Sequence, residues 1–110
     1  MDQSETAGRA VIDRTPSREP ARLIEIDGTL PYGRRLCRPM PVVIEWDDRE
    51  ILVSEPNFQM HAGGATVDEA IAAFRRIISG YVDVLEGEES QLGEGAAAQL
   101  AYLRSFIVPA

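Results

Sequence analysis

The stretch Thr66-Val67-Asp68-Glu69 constrains the fold more than any other part of the chain. It has the form of a capping box, in which Thr66 accepts from the Glu69 amide and Glu69 reaches back to the Thr66 amide. Asp68 and Glu69 also stand at the positive end of the helix dipole. Val67, Ala70, Ile71, Phe74, Ile77, Ile78, Tyr81 and Leu85 follow at three- and four-residue spacing. Arg75, Arg76, Ser79 and Asp83 fall on the other side. An amphipathic helix of this kind needs an apolar layer to lie on. Gly80 inside it costs about 1 kcal/mol relative to alanine, and either permits close packing or marks a bend.

Upstream the apolar period changes to two, the period of strands. Arg22 to Ile26 is a short strand with Leu23 and Glu25 on one face and Ile24 and Ile26 on the other, ended by Asp27-Gly28. Residues 28–40, broken by Pro31 and Gly33, read as a connector. Their arginines Arg34, Arg35 and Arg38 read as a solvated cluster or a contact for an acidic surface. Val42 to Trp46 and Glu50 to Ser54 form a hairpin around the polar turn Asp47-Asp48-Arg49. Val42, Ile44 and Trp46 share one face. Phe58 to Ala62 is a third strand, ended by Gly63-Gly64. Glu86 to Glu94 is an acidic loop, and Ala96 to Ile107 a second helix with Leu100, Leu103 and Ile107 on one stripe. Residues 1–20, with Gly8, Pro16 and Pro20 and few bulky apolar groups, read as a flexible arm. The whole predicts an α+β chain. A three- or four-stranded antiparallel sheet packs on one long amphipathic helix, with a short C-terminal helix added. Residues 21–110 form one domain, with its core in 41–85.

Charge narrows the function. The chain of 110 residues carries eleven arginines, no lysine and eighteen carboxylates, a net −7. Residues 41–110 hold four arginines against twelve carboxylates, a balance of −8. Phosphate neutralisation supplies most sequence-independent nucleic-acid affinity, so direct nucleic-acid binding is not expected. A basic protein partner suits this field; solubility alone is the plainer account. Apolar runs such as Pro41-Val42-Val43-Ile44 fall far short of the roughly 20 residues of a membrane span. The polar start Met1-Asp2-Gln3-Ser4-Glu5 lacks the apolar core of a secretory signal, and a cytoplasmic location is expected. Cys37 is the only cysteine and has no internal disulfide partner.

No nucleophile–base pair declares itself, and no residue is assigned to catalysis, a cofactor or a metal. His61, the only histidine, excludes two-histidine metal sites and reads as structural. Gly63-Gly64 before the helix has the form of a weak anion loop without its lysine. The acidic knot Glu45, Asp47, Asp48 and Glu50 marks either an exposed turn, a docking surface, or a Mg²⁺ or Mn²⁺ site of a small enzyme. Trp46 beside it is either a contact anchor or packed under the helix. Glu45, Trp46, Asp47, Asp48 and Glu50 are therefore the partner-binding candidates.

The order of these segments resembles the HicB-like antitoxin family. Pro41-Val42-Val43-Ile44-Glu45-Trp46-Asp47-Asp48 is similar to its first strand and turn. Ile51-Leu52-Val53-Ser54-Glu55-Pro56-Asn57 is similar to its second strand. Gly63 or Gly64 then precedes Thr66-Val67-Asp68-Glu69-Ala70, with Ala73 and Tyr81 further along the helix. Arg49 and Glu50 replace the glycine usual after the turn, and Phe58-Gln59-Met60-His61 replaces the usual third-strand entry. The resemblance implies a β-β-β-α core, a partial ribonuclease-H-like fold without that enzyme's catalytic carboxylates. It also implies a homodimer, and a small basic mRNA-cleaving toxin as the partner. The alternative is a solitary interaction or scaffolding domain with an unrelated partner. Residues 86–110 hold one helix and one arginine, Arg104, so an added DNA-binding domain is not expected there. The small size of the core also predicts a homodimer, joined through strand edges or the C-terminal helix.

Overall fold

The computed structural model describes residues 21–57 and 60–110. The expected N-terminal arm lies outside them, as do Phe58 and Gln59. The capped helix forms as α1 (Val67–Gly87), with Thr66 extended and its hydroxyl accepting from the Glu69 amide at 3.1 Å. The reciprocal bond shifts by one residue: the Glu69 carboxylate accepts from the Ala65 amide at 3.1 Å, not from Thr66.

Four antiparallel strands make the main sheet. They are β1 (Arg22–Ile26), β4 (Met40–Trp46), β5 (Ile51–Glu55) and β6 (Met60–Gly64), in the order β1-β4-β5-β6. The register pairs Ile24 with Val42, Ile44 with Val53, and Val53 with Ala62. With period two, Ile26, Val42, Ile44, Val53 and Ala62 point to one face, where they are buried with Ala70, Phe74, Ile78, Val82 and Leu85 of α1. The third strand does not end at its glycines as expected. Gly63 and Gly64 belong to β6, and Gly64 passes so close under α1 that a Cβ there would stand 2.5 Å from the Ala70 amide nitrogen.

The expected connector is partly a second sheet. Short strands β2 (Thr29–Leu30), β3 (Arg34–Leu36) and β7 (Ile107–Pro109) pair antiparallel in the order β2-β3-β7. Leu36 lies opposite Ile107 and both are buried. The second helix accordingly stops short of Ile107. It spans Glu94–Arg104 as α2, and the Ser105 hydroxyl donates to the Tyr102 carbonyl at 2.6 Å. Ile107-Val108-Pro109 suits a strand, since β-branched residues favour one and proline cannot continue a helix.

The acidic loop expected from Glu86 also begins later. α1 continues to Gly87, and a single turn of 3₁₀ helix covers Glu89–Gln91. Carboxylates at a helix C-terminus oppose the dipole. Here Arg34 and Arg104 offset them: Glu86 accepts from both, at 3.1 Å in each case. Arg34 also pairs with Asp83. One buried cluster runs through the main sheet, both helices and the second sheet. The fold is α+β.

Candidate interaction surface

The partner-binding candidates separate by strand face. Asp47 is consumed by the turn: its carboxylate accepts from the Arg49 and Glu50 amides at 2.9 and 3.0 Å, and its own amide donates to the Glu50 carbonyl at 3.1 Å. This side chain-to-backbone closure replaces the glycine-based hairpin turn. Asp48 is exposed at the tip. Trp46 points to the α1 side, half-buried against the core, with the Arg22 guanidinium 5.5 Å from its ring centroid. Cation–π stacking is attractive at that distance. Trp46 is thus a packing residue at the sheet rim and not an outward anchor.

Glu45 and Glu50 lie on the opposite face, which no described element covers. α2 packs beside α1 and β7, on the helical side of the molecule. The open face carries a row formed by Leu23, Val43, Ser54 and His61 across the four strands, and a second row of Glu45, Leu52 and Gly63. Leu23 is 69% exposed; Val43 and Leu52 are half-buried. Glu25 and Glu45 are exposed on the same face. The Glu50 carboxylate folds over Gly63, where an added Cβ would come within 2.2 Å of its oxygen. A depression of about 320 Å³ lies between Glu45, Leu52, Ser54, Glu55, Pro56 and His61. His61, opposite Ser54, is exposed on this face and is not a core histidine. The surface is therefore apolar at Leu23, Val43 and Leu52 and acidic at Glu25, Glu45 and Glu50. Leu23 and Glu25 were readable as face-mates from alternation alone; their position next to Val43 and Pro41 needed the β1–β4 register.

Two polar clusters tie the strands to the helices. Glu55 is fully buried, and its carboxylate accepts from the Tyr102 hydroxyl at 2.8 Å and the Asn57 amide at 2.9 Å. Burial, and after it the Glu55 carboxylate, push the Tyr102 phenol above its ordinary range. A buried carboxylate requires such donors. The second cluster joins β3, α1, α2 and the 3₁₀ turn. Arg104 grips Glu89 with two bonds of 2.8 and 2.9 Å, which hold the Glu89 carboxyl below its ordinary range and raise the guanidinium. The Asp83 hydrogen bond raises the Arg34 guanidinium above its ordinary value. Arg34 is thus a tie between β3 and α1, while the Arg38 guanidinium lies 3.8 Å over the Phe106 ring. Of the expected arginine cluster, Arg34 and Arg38 make internal contacts, while Arg35 is exposed.

Among the described residues, no three His, Cys, Asp or Glu side chains converge on a point where a metal ion fits, the hairpin knot included. No described helix is long and apolar enough to cross a membrane. The fold and this surface define an α+β chain with an uncovered, acid-rimmed sheet face. No family model, curated protein or solved structure matches it.

Proposed function

We propose that the chain is a non-enzymatic, HicB-like antitoxin module that binds and neutralises a small basic mRNA-cleaving toxin in the cytoplasm. The observation that carries this reading is the open sheet face, whose apolar centre at Leu23, Val43 and Leu52 is rimmed by Glu25, Glu45 and Glu50. Apolar area drives association, and the carboxylates steer a basic partner to it and disfavour acidic ones. The −8 balance of residues 41–110 adds to the same field. Neither a cofactor nor nucleic acid has a part in this reading.

The test is growth rescue. Any small basic protein encoded in a neighbouring reading frame is expressed with and without this chain. Rescue by the native chain is expected. Loss of rescue by a Glu45→Arg, Glu50→Arg, Leu52→Arg variant of unchanged circular dichroism is expected too. Equal rescue by that variant, or toxicity unaffected by the native chain, contradicts the reading.

A further inference from the structure

The open sheet face presents apolar area and charge that no described element meets. Leu23 is the most exposed large apolar side chain among the described residues, and Val43 and Leu52 lie on the same face. Among the described residues, Glu25, Glu45 and Glu50 have no ion-pair partner. A second apolar place lies on the helical side. Ile77, expected on the buried stripe, is 41% exposed, and Val84 is 57% exposed. With Met60 and Tyr81 they line a groove of about 520 Å³, to which Arg76 brings a positive charge and no residue brings a carboxylate.

Residues 1–20 lead directly into β1, the edge strand of the open face. Within them, Arg9-Ala10-Val11-Ile12-Asp13-Arg14-Thr15-Pro16-Ser17-Arg18 sets three arginines against one carboxylate, around the apolar pair Val11-Ile12. That is the complement of the sheet face, an apolar centre with a rim of carboxylates, and it is unlike what the groove with its Arg76 would accept. The segment is also in reach. The chain enters β1 at Arg22, opposite Ile44 and so one residue from Glu45, which lies opposite Leu52. Two strand spacings of about 4.8 Å separate β1 from β5. An extended chain advances about 3.3 Å per residue, so residues 9–18 can cross the whole face.

We propose that residues 9–18 dock on the open sheet face of their own chain, Val11 and Ile12 against Leu23, Val43 and Leu52, and the three arginines toward Glu25, Glu45 and Glu50. Attachment to β1 is what lets so short a segment bind, since a tether holds it at an effective concentration of about a millimolar. Exposed charge pairs contribute little each. The apolar contact therefore sets the strength, and the charges set the choice of face. The docking needs no partner. That it regulates partner binding rests on the sheet-face reading, under which a basic protein must displace the segment to reach the same carboxylates.

The test is paramagnetic broadening of methyl signals in the full chain. A nitroxide is attached at Ala10→Cys, with the exposed Cys37 replaced by serine. The methyls of Leu23, Val43 and Leu52 are expected to lose intensity, and those of Ile77 and Val84 to keep it. Reversing the segment (Arg9→Glu, Arg14→Glu, Arg18→Glu) or the exposed rim (Glu45→Arg, Glu50→Arg) is expected to restore the lost intensity, and high salt to restore part of it. Should the rim variant fail to fold, the segment variant decides, since it alters no residue of the sheet or helices. Face methyls broadened equally in the native and the reversed segment overturn the proposal, as does broadening of the groove methyls in their place. A mixture of nitroxide-bearing chains with methyl-labelled chains lacking the nitroxide separates one chain from two. Broadening as strong there as within one chain overturns the proposal and gives the face to a second copy. No partner is present in any sample, so the failure of the sheet-face reading and the failure of this docking are seen separately.

Discussion

Three glycines show how differently one residue type is used. Gly64 lies beneath α1, and a Cβ there would stand 2.5 Å from the Ala70 amide nitrogen and 2.9 Å from the Glu69 carbonyl carbon, both backbone atoms. Gly64→Ala must move the helix start off the sheet and is expected to cost about 1–3 kcal/mol, the usual range of overpacking. At Gly63 the added Cβ would meet only the far end of the Glu50 side chain, which has other rotamers. Gly63→Ala is expected to stay within about 0.5 kcal/mol of the native chain. Gly80 is the reverse case. Its added Cβ would rest 3.8 Å from the Tyr32 ring, an ordinary contact, within a helix that glycine weakens. Gly80→Ala is expected to stabilise by about 0.5–1 kcal/mol. Chemical denaturation of the three variants checks all of this; a Gly64→Ala chain as stable as the Gly63→Ala chain would refute the close approach of α1.

At the scale of elements, the C-terminal end of α1 is held by ion pairs from other elements. α1 finishes without a basic residue in its last turn, and Glu86 is held instead by Arg34 and Arg104 from other elements. Arg104 lowers the Glu89 carboxyl in the folded chain. A lowered folded-state value means the stabilisation is present above the unfolded carboxyl value, about 4.3, and is lost as pH falls through the folded one. Arg104→Gln is therefore expected to flatten the acid limb of thermal stability at low salt, with a smaller difference at high salt because the pair is exposed. Identical acid limbs at low salt would show the pair to be inert. These ties also explain what the sequence could not show. The α1 start, the β4–β5 hairpin and the buried stripe of Phe74, Ile78 and Leu85 follow from local spacing and a local cap. β3 and β7 do not, because Arg34 pairs with Pro109 across most of the chain and Ile107 extends a helical period by coincidence. The surface was half legible. Alternation sent Glu45 and Glu50 outward, but nothing local showed that Asp47 closes the turn or that Trp46 meets Arg22.

Over the whole molecule, apolar groups reach the surface in two places of opposite electrostatic character. The open sheet face is rimmed by carboxylates, and the α1 groove is lined by Arg76, His61 and Gln99. The proposed basic partner takes the sheet face, and His61 in β6 borders both places. The measurement that bears most directly on partner binding is a comparative capture from the native host, with captured chains identified by mass spectrometry. Three baits are compared: the native chain, its Glu45→Arg, Glu50→Arg, Leu52→Arg variant, and Ile77→Glu. A small basic protein is expected with the native chain and with Ile77→Glu, and not with the sheet-face variant. The same basic protein retained by the sheet-face variant, or a captured partner that is acidic, would contradict the account.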